Sequence, residues 1–326
     1  MQDLDRRVIV VTGGSSGIGL ATVDHLLDAG STVVAVARGG DALEQVAAAR
    51  SSRPGVLEVA ALDVTDAAAV DGFVADLVAR HGTVDGWVNA AGITTYGRFE
   101  TLPAEEFDRV VAVNLLGSAN GARAVLPRFR DQGEGVLVNI ASVLGRFGTP
   151  LMSPYVASKF AVRGWSQSLR MEVRDAPGVS VCAVLPGPVD TPLFQHAGNR
   201  TGERIESPSL PMDPDRVAEA IVGLLRRPRR EVVVGQASRL LFLAFAVAPG
   251  VAERVLGPAM AWDHTAGGAQ APTAGALDRS GGEGQPVGGW RLVPLPHVRR
   301  LIRGAGALAG GAILSGVAAA AERRRR

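Results

Sequence analysis

The chain contains a single lysine, Lys159, which follows one of only two tyrosines by four residues in Tyr155-Val-Ala-Ser-Lys159. The other 33 of its 34 basic side chains are arginine. A spacing of four puts ammonium and phenol on one face of any helix that carries both. An ammonium is a compact charge whose pKa responds to its surroundings, whereas a guanidinium is a planar fork that stays charged. The pair is therefore suited to proton chemistry, although a single spacing can arise by accident.

A second constellation lies near the start, in Thr12-Gly-Gly-Ser-Ser-Gly-Ile-Gly19. Gly13, Gly17 and Gly19 join a short Val/Ile run to a stretch of helical periodicity, so Ser15, Ser16 and Ile18 sit with them at a helix amino terminus. Free backbone N–H groups and the helix dipole make such a turn a phosphate site. The spacing is Gly-x-x-x-Gly-x-Gly, not the more widespread Gly-x-Gly-x-x-Gly. The same residues also satisfy Gly-x-Ser-x-Gly, the turn that presents a serine nucleophile. A serine hydrolase would then need an acid and a histidine downstream, and Asp190 with His196 or His264 are the candidates on paper. None of the histidines has a recognisable context.

These groups need a frame to hold them. Short Val- and Ile-rich runs at 7–12, 32–37, 56–62, 84–89, 135–141, 179–185 and 231–234 alternate with helical stretches at 18–29, 67–80, 104–130 and 154–174. That alternation predicts an α/β fold: a doubly wound, Rossmann-type, seven-stranded parallel sheet with helices on both faces. The chain divides into a nucleotide-binding catalytic domain at 1–235, a hydrophobic helical extension at 236–262, a flexible Gly/Ala/Pro-rich linker at 263–289 and a basic, apolar tail at 290–326.

Composition narrows the function classes. From Arg299 onward seven arginines face one glutamate, a balance of +6, so residues 1–298 carry −4 of the net +2. A mildly acidic body argues against nucleic acid as a partner. One cysteine, Cys182, in an apolar run, reads as a buried strand position in a reducing compartment. The charged amino terminus leads directly into the first strand run, which predicts a cytoplasmic protein without a secretory signal. No His/Cys/Asp cluster has metal-ligand spacing.

Further residues complete an ordered set: Leu62-Asp63-Val64, Asn89-Ala90-Ala91-Gly92, Asn114, Ser142, Tyr155-x-x-x-Lys159 and Pro186-Gly187. With the glycine-rich loop, this set resembles the short-chain dehydrogenase/reductase family across residues 7 to about 235. The resemblance implies that Tyr155 is the general acid or base at a substrate oxygen and that Lys159 lowers the phenol pKa and grips the nicotinamide ribose. It implies that Ser142 hydrogen-bonds the substrate oxygen and that Asn114 holds a water linking Lys159 to solvent. Asp63 with Val64 would meet the adenine. Ala90, Gly92, Pro186, Gly187, Val189 and Thr191 would line the cofactor, and Asn89 would bridge strands beside it. The second strand ends at Arg38 with no carboxylate, so the cofactor expected is NADP(H), with Arg38 on a 2′-phosphate and Ser15 assisting.

The segment after Gly187, through Met212, resembles the family's mobile substrate lid. Val143, Leu144, Phe147, Leu193 and Phe194 would make an apolar pocket, with His196 as a polar contact, Tyr96 at the cleft or its rim, and a hydrophobic alcohol or ketone as substrate. Two alternatives stand beside this enzyme: a catalytically silent nucleotide-binding regulator and the serine hydrolase. The uncharged run 304–321 has 18 residues, five of them glycine, between arginine clusters. It fits either an anionic membrane surface or packing within a soluble homo-oligomer.

Overall fold

The computed structural model describes residues 3–207, 211–235, 237–279 and 284–292. The run 304–321 lies outside the described residues. Seven parallel strands form the central sheet: β1 (Val8–Thr12), β2 (Thr32–Ala37), β3 (Val56–Ala61), β4 (Gly86–Asn89), β5 (Gly135–Ile140), β6 (Val179–Pro186) and β7 (Glu231–Val234). Their order across the sheet is β7-β6-β5-β4-β1-β2-β3. β1 therefore pairs with β2 on one side and β4 on the other, with Ile9 level with Val33 and with Gly86.

The Val/Ile runs are explained by burial on two faces. Ile9 and Val11 of β1 enter one core with Leu20, Val23, Ile221 and Leu225, while Val8 and Val10 enter the other with Val74, Leu77, Phe129 and Leu169. Successive side chains point to opposite faces of a strand, so a strand covered on both faces must be apolar throughout. Helices α1 (Gly17–Asp28) and α7 (Pro214–Arg226) cover the first face together with α2 (Gly40–Ala48). α3 (Ala67–His81), α5 (Gly117–Gln132) and α6 (Ser153–Glu172) cover the second.

Helix ends follow local rules. Asp66 caps α3 by accepting from the Ala69 N–H at 3.0 Å, and Gly82 ends the helix at φ +75°. The expected helix 104–130 is interrupted. It begins as α4 (Ala104–Val111), widens into a π-helical turn at Ala112–Leu116 and continues as α5. Wide turns of this kind arise where an extra residue is accommodated and concentrate at functional sites. After β7 come α8 (Ala237–Val247) and α9 (Pro249–His264), separated at the Ala248–Pro249 step that disfavours helix. Among the described residues no helix is long and apolar enough to cross a membrane.

The stretch read from composition as a flexible linker makes specific contacts. Thr265–Ala269 pairs antiparallel with Glu203–Ile205, and Thr273 exchanges backbone hydrogen bonds of 2.7 and 2.9 Å with Asn199. Gly has no side chain and Ala only a methyl to signal such contacts, which run through the backbone.

Candidate active site

At the carboxyl ends of the strands, the chain leaves β1 toward one face and β4 toward the other, which opens a crevice at the point where strand order reverses. The glycine loop forms one wall. Gly13 has φ +71°, and a Cβ there would lie 2.8 Å from the Ala91 nitrogen; at Gly19 it would lie 2.2 Å from the Gly13 carbonyl oxygen. Both glycines are thus required for loop, strand end and helix to meet. Ser16 occupies the amino-terminal cap position of α1 without a side-chain capping bond. Thr12 Oγ1 accepts from the N–H groups of Ala90 and Ala91 at 3.2 and 3.3 Å, which ties the end of β1 to the segment after β4.

α6 carries the tyrosine and lysine inward. Lys159 is buried; its Nζ donates to the Ile140 carbonyl at 2.8 Å and lies over the Tyr155 ring, 5.5 Å from the centroid. Burial lowers the Lys159 pKa to about 8. The Tyr155 phenol moves the other way. Burial pushes it up to about 12, opposed by a hydrogen bond with Ser142. The lowering expected from Lys159 does not appear: desolvation dominates in this cleft, and the Ser142 hydrogen bond is what opposes it. Ser142 also caps the turn at Val143–Gly145, its Oγ accepting from the Leu144 N–H at 3.1 Å.

Asn114 sits within the π turn and is fully buried. Its Oδ1 accepts from the Ile93 N–H at 2.9 Å, and its Nδ2 donates to the Ile93 carbonyl and Ser158 Oγ, both at 3.0 Å. It thus clamps the segment after β4 to α6. Gly92 leaves a methyl-sized space whose centre is 3.5 Å from Asn114 Oδ1 and 3.8 Å from Lys159 Nζ. Neither Asn114 nor Asn89 lines the cleft. Asn89 is spent inside the fold, donating to the Ser118 carbonyl and Asn139 Oδ1 at 3.0 and 2.8 Å while accepting from Trp87 Nε1.

The cleft of about 240 Å³ is lined by Gly13, Ser15, Ser16, Gly17, Ile18 and Gly19, by Arg38, Asp63 and Val64, and by Ala90 and Gly92. Ser142, Tyr155, Lys159, Pro186, Gly187, Val189 and Thr191 complete the expected set. Sequence reasoning missed Arg109, which donates to Asp63 Oδ2 at 2.9 Å and Thr65 Oγ1 at 3.2 Å. It also missed Thr94, a wall residue whose hydroxyl is buried without a partner. Arg38 is met by backbone: Nη1 donates to the Leu277 carbonyl at 3.0 Å, and Nη2 to those of Ala276 and Arg279 at 3.2 and 2.7 Å.

Tyr155 also belongs to an apolar cluster beside the cleft, of which only Tyr155 and Phe194 line the cleft itself; Val143 and Leu144, expected in the pocket, do not line it. Tyr155 packs with Tyr96, Leu144, Leu151, Met152, Val156, Phe194 and Ile205. Leu193 and His196 also line the cleft. Phe147 does not join that pocket: its ring stacks on Phe245 of α8 at 4.8 Å. Tyr96 is fully buried, and its hydroxyl lies 3.3 Å from His264 Nδ1. Burial lowers the His264 pKa to about 4, so that imidazole is neutral.

The histidine–acid partners of a serine hydrolase are not assembled. Asp190 accepts from the N–H groups of Gly288, Trp290 and Arg291 at 3.0, 2.9 and 3.1 Å, and His264 is committed to Tyr96.

The family model described as short chain dehydrogenase matches residues 7–201. The uncharacterized oxidoreductase YxnA of Bacillus subtilis is 31% identical over 259 residues, covering 78% of this chain and 73% of that protein. Among solved structures, a short-chain dehydrogenase from Streptomyces avermitilis is 30% identical with a TM-score of 0.66, covering 78% of this chain and 98% of the other. An alcohol dehydrogenase from Thermococcus sibiricus, complexed with 5-hydroxy-NADP, is also 30% identical, with a TM-score of 0.62 over 71% of this chain and 96% of its own.

Proposed function

The chain belongs to the short-chain dehydrogenase family, and from that premise we propose that it is an NADP(H)-dependent oxidoreductase interconverting a carbonyl and an alcohol on a hydrophobic small molecule. The observation that carries this reading is the convergence of Ser142, Tyr155 and Lys159 at the inner end of a cleft whose other end holds the glycine loop and Arg38.

The residues present fit a dinucleotide. Gly13 and Gly19 let the loop close against the segment after β4 and the start of α1, the first turn of α1 offers N–H groups to a pyrophosphate, and Asp63 and Val64 line the part of the cleft where an adenine is expected. Arg38, with Arg109 close enough to lower its pKa, supports a phosphorylated ribose over a plain one. When bound, the nicotinamide donates or accepts the hydride at the substrate carbon.

The chain's own residues handle the oxygen and its proton. With its pKa near 12, Tyr155 keeps its proton at neutral pH and is a donor to a carbonyl oxygen, which favours the reductive direction. Ser142, already hydrogen-bonded to Tyr155, fixes that oxygen beside it. Lys159, with a pKa near 8, is the group best placed to return the proton. Leu193 and Phe194, which line the cleft, suit a hydrophobic substrate.

The test is a screen of hydrophobic ketones with NADPH and NADH, followed by Tyr155→Phe on whichever ketone is reduced. A fall in kcat of about 10² or more with unchanged NADPH affinity is expected. Unchanged turnover would remove Tyr155 from its role. Arg38→Asp should turn cofactor preference toward NADH, and an unaltered preference would overturn the assignment of NADP(H).

A further inference from the structure

Residues 273–279 and 284–291 cross the end of the cleft occupied by Arg38 and the glycine loop. Leu277 is buried, and its carbonyl also accepts from Arg109 Nε at 3.3 Å. The Gln285 carbonyl accepts from the Gly17 N–H at 3.1 Å. The stretch is fastened beyond the cleft as well: Ala276 donates to the His196 carbonyl at 2.9 Å, Trp290 Nε1 to the Thr191 carbonyl at 3.2 Å, and Gln195 Nε2 to the Gly288 carbonyl at 2.6 Å. Asp190 receives three of its N–H groups.

We propose that this carboxy-terminal strap is an internal competitor of the cofactor, holding with backbone carbonyls the donors that the phosphate groups of a dinucleotide need. The inference rests on the cofactor assigned above. Its force lies in counting hydrogens. A guanidinium grips an anion through a pair of nitrogens, Nη1 with Nη2 or Nε with Nη2. Both hydrogens of Arg38 Nη2 are already given, to Ala276 and Arg279. Neither fork can close on a phosphate until at least one carbonyl leaves. The Gly17 N–H has one hydrogen, and Gln285 has it. A strap that merely covered the bound cofactor would leave these donors free.

The size of the remaining cleft agrees. About 240 Å³ is left open, below the range of roughly 300–1,000 Å³ usual for ligand sites. Burial lowers the Arg38 pKa, which a dianionic phosphate would oppose more strongly than a neutral carbonyl does. Apparent affinity is then the intrinsic affinity reduced by the fraction of molecules whose strap is open. That reduction falls on the adenosine half, since among the described residues no hydrogen bond joins the strap to Ser142, Tyr155 or Lys159.

The test loosens the strap from its far side. Gly288→Ala would put a Cβ 2.5 Å from the Thr191 carbonyl oxygen and 2.6 Å from the Trp290 ring nitrogen. Trp290→Ala removes that anchor by another route. In the full-length chain, 2′,5′-ADP and NADPH should bind both variants at least about tenfold more tightly than the parent. NMNH, which lacks the adenosine half, should bind all three alike. Hydrogen exchange followed by mass spectrometry should show the amides of Ala276, Gly288, Trp290 and Arg291 exchanging faster when the parent chain is saturated with NADPH. Unchanged or slower exchange with NADPH bound would overturn the competition and make the strap a cover. If NADPH and NADH fail to bind parent and variants alike, the cofactor reading falls and the inference with it.

Discussion

Lys159 and Ile140 are joined by a hydrogen bond of 2.8 Å from Nζ to the carbonyl at the end of β5, and this bond fixes the ammonium over the Tyr155 ring. A helix side chain is thereby located by a strand. The bulkier guanidinium of Lys159→Arg cannot place its charge at the same point within a buried pocket. The variant should retain near-parental thermal stability yet lose about 10² in kcat. Near-normal turnover would show that the position needs only a positive charge.

The pH dependence of stability follows from three buried groups. Lys159 has its pKa lowered from 10.5 to about 8, so its contribution is present above pH 10.5 and lost as pH falls toward 8. Tyr155 is raised from 10.0 to about 12, so its contribution is present below pH 10 and lost as pH rises toward 12. Together they place a rise in stability between about pH 8 and 10 and a fall above it. His264, lowered from 6.5 to about 4, adds a loss of stability as pH falls through that interval, at most about 3 kcal/mol. Urea unfolding from pH 4 to 11 checks the shape. Lys159→Met should abolish the alkaline rise, and His264→Gln should flatten part of the acid limb.

Glu106 is 5% exposed and accepts from Thr95 Oγ1 at 2.8 Å and from Arg200 Nε at 2.8 Å. The pair joins α4 to the segment that follows the short strand Gly198–Asn199. Glu106→Ala leaves Arg200 without its counter-charge, and because Arg200 reaches water the loss should be about 2 kcal/mol, below the full value for a buried pair. Denaturant midpoints would measure it. Glu106→Gln, which keeps the side-chain volume and one acceptor oxygen but not the charge, should lose less than the alanine variant; an equal loss would mean that charge and not packing sets the effect.

Gly19→Ala directs a methyl group at a backbone oxygen 2.2 Å away, and no side chain can move to relieve it. The glycine loop must separate from α1. Because the sheet does not depend on that contact, circular dichroism should stay close to the parent while NADPH affinity falls more than tenfold. Parental affinity would mean that the loop is not the phosphate site.

How much of this was readable in advance depended on where the determining contacts lie. The seven strands were legible because burial on both faces demands unbroken apolar runs such as Val8–Thr12. The cleft lining was legible because its residues sit at the ends of those strands in fixed order. The π turn around Asn114 was not, since it is set by bonds to Ile93, 21 positions earlier. The Tyr96–His264 contact spans 168 positions and leaves no local pattern. Residues 263–289 looked like a linker because Gly, Ala and Pro carry little side-chain information. Their role is played by carbonyl oxygens, which every residue possesses.

The strap lies downstream of every residue it covers. Synthesis runs from the amino terminus, so β7, the last strand of the sheet, emerges some 40 residues before Thr273. A folding chain therefore passes through an interval in which Arg38 and the Gly17 N–H stand open. A cofactor present at the ribosome meets its binding site before the competitor for that site has been made.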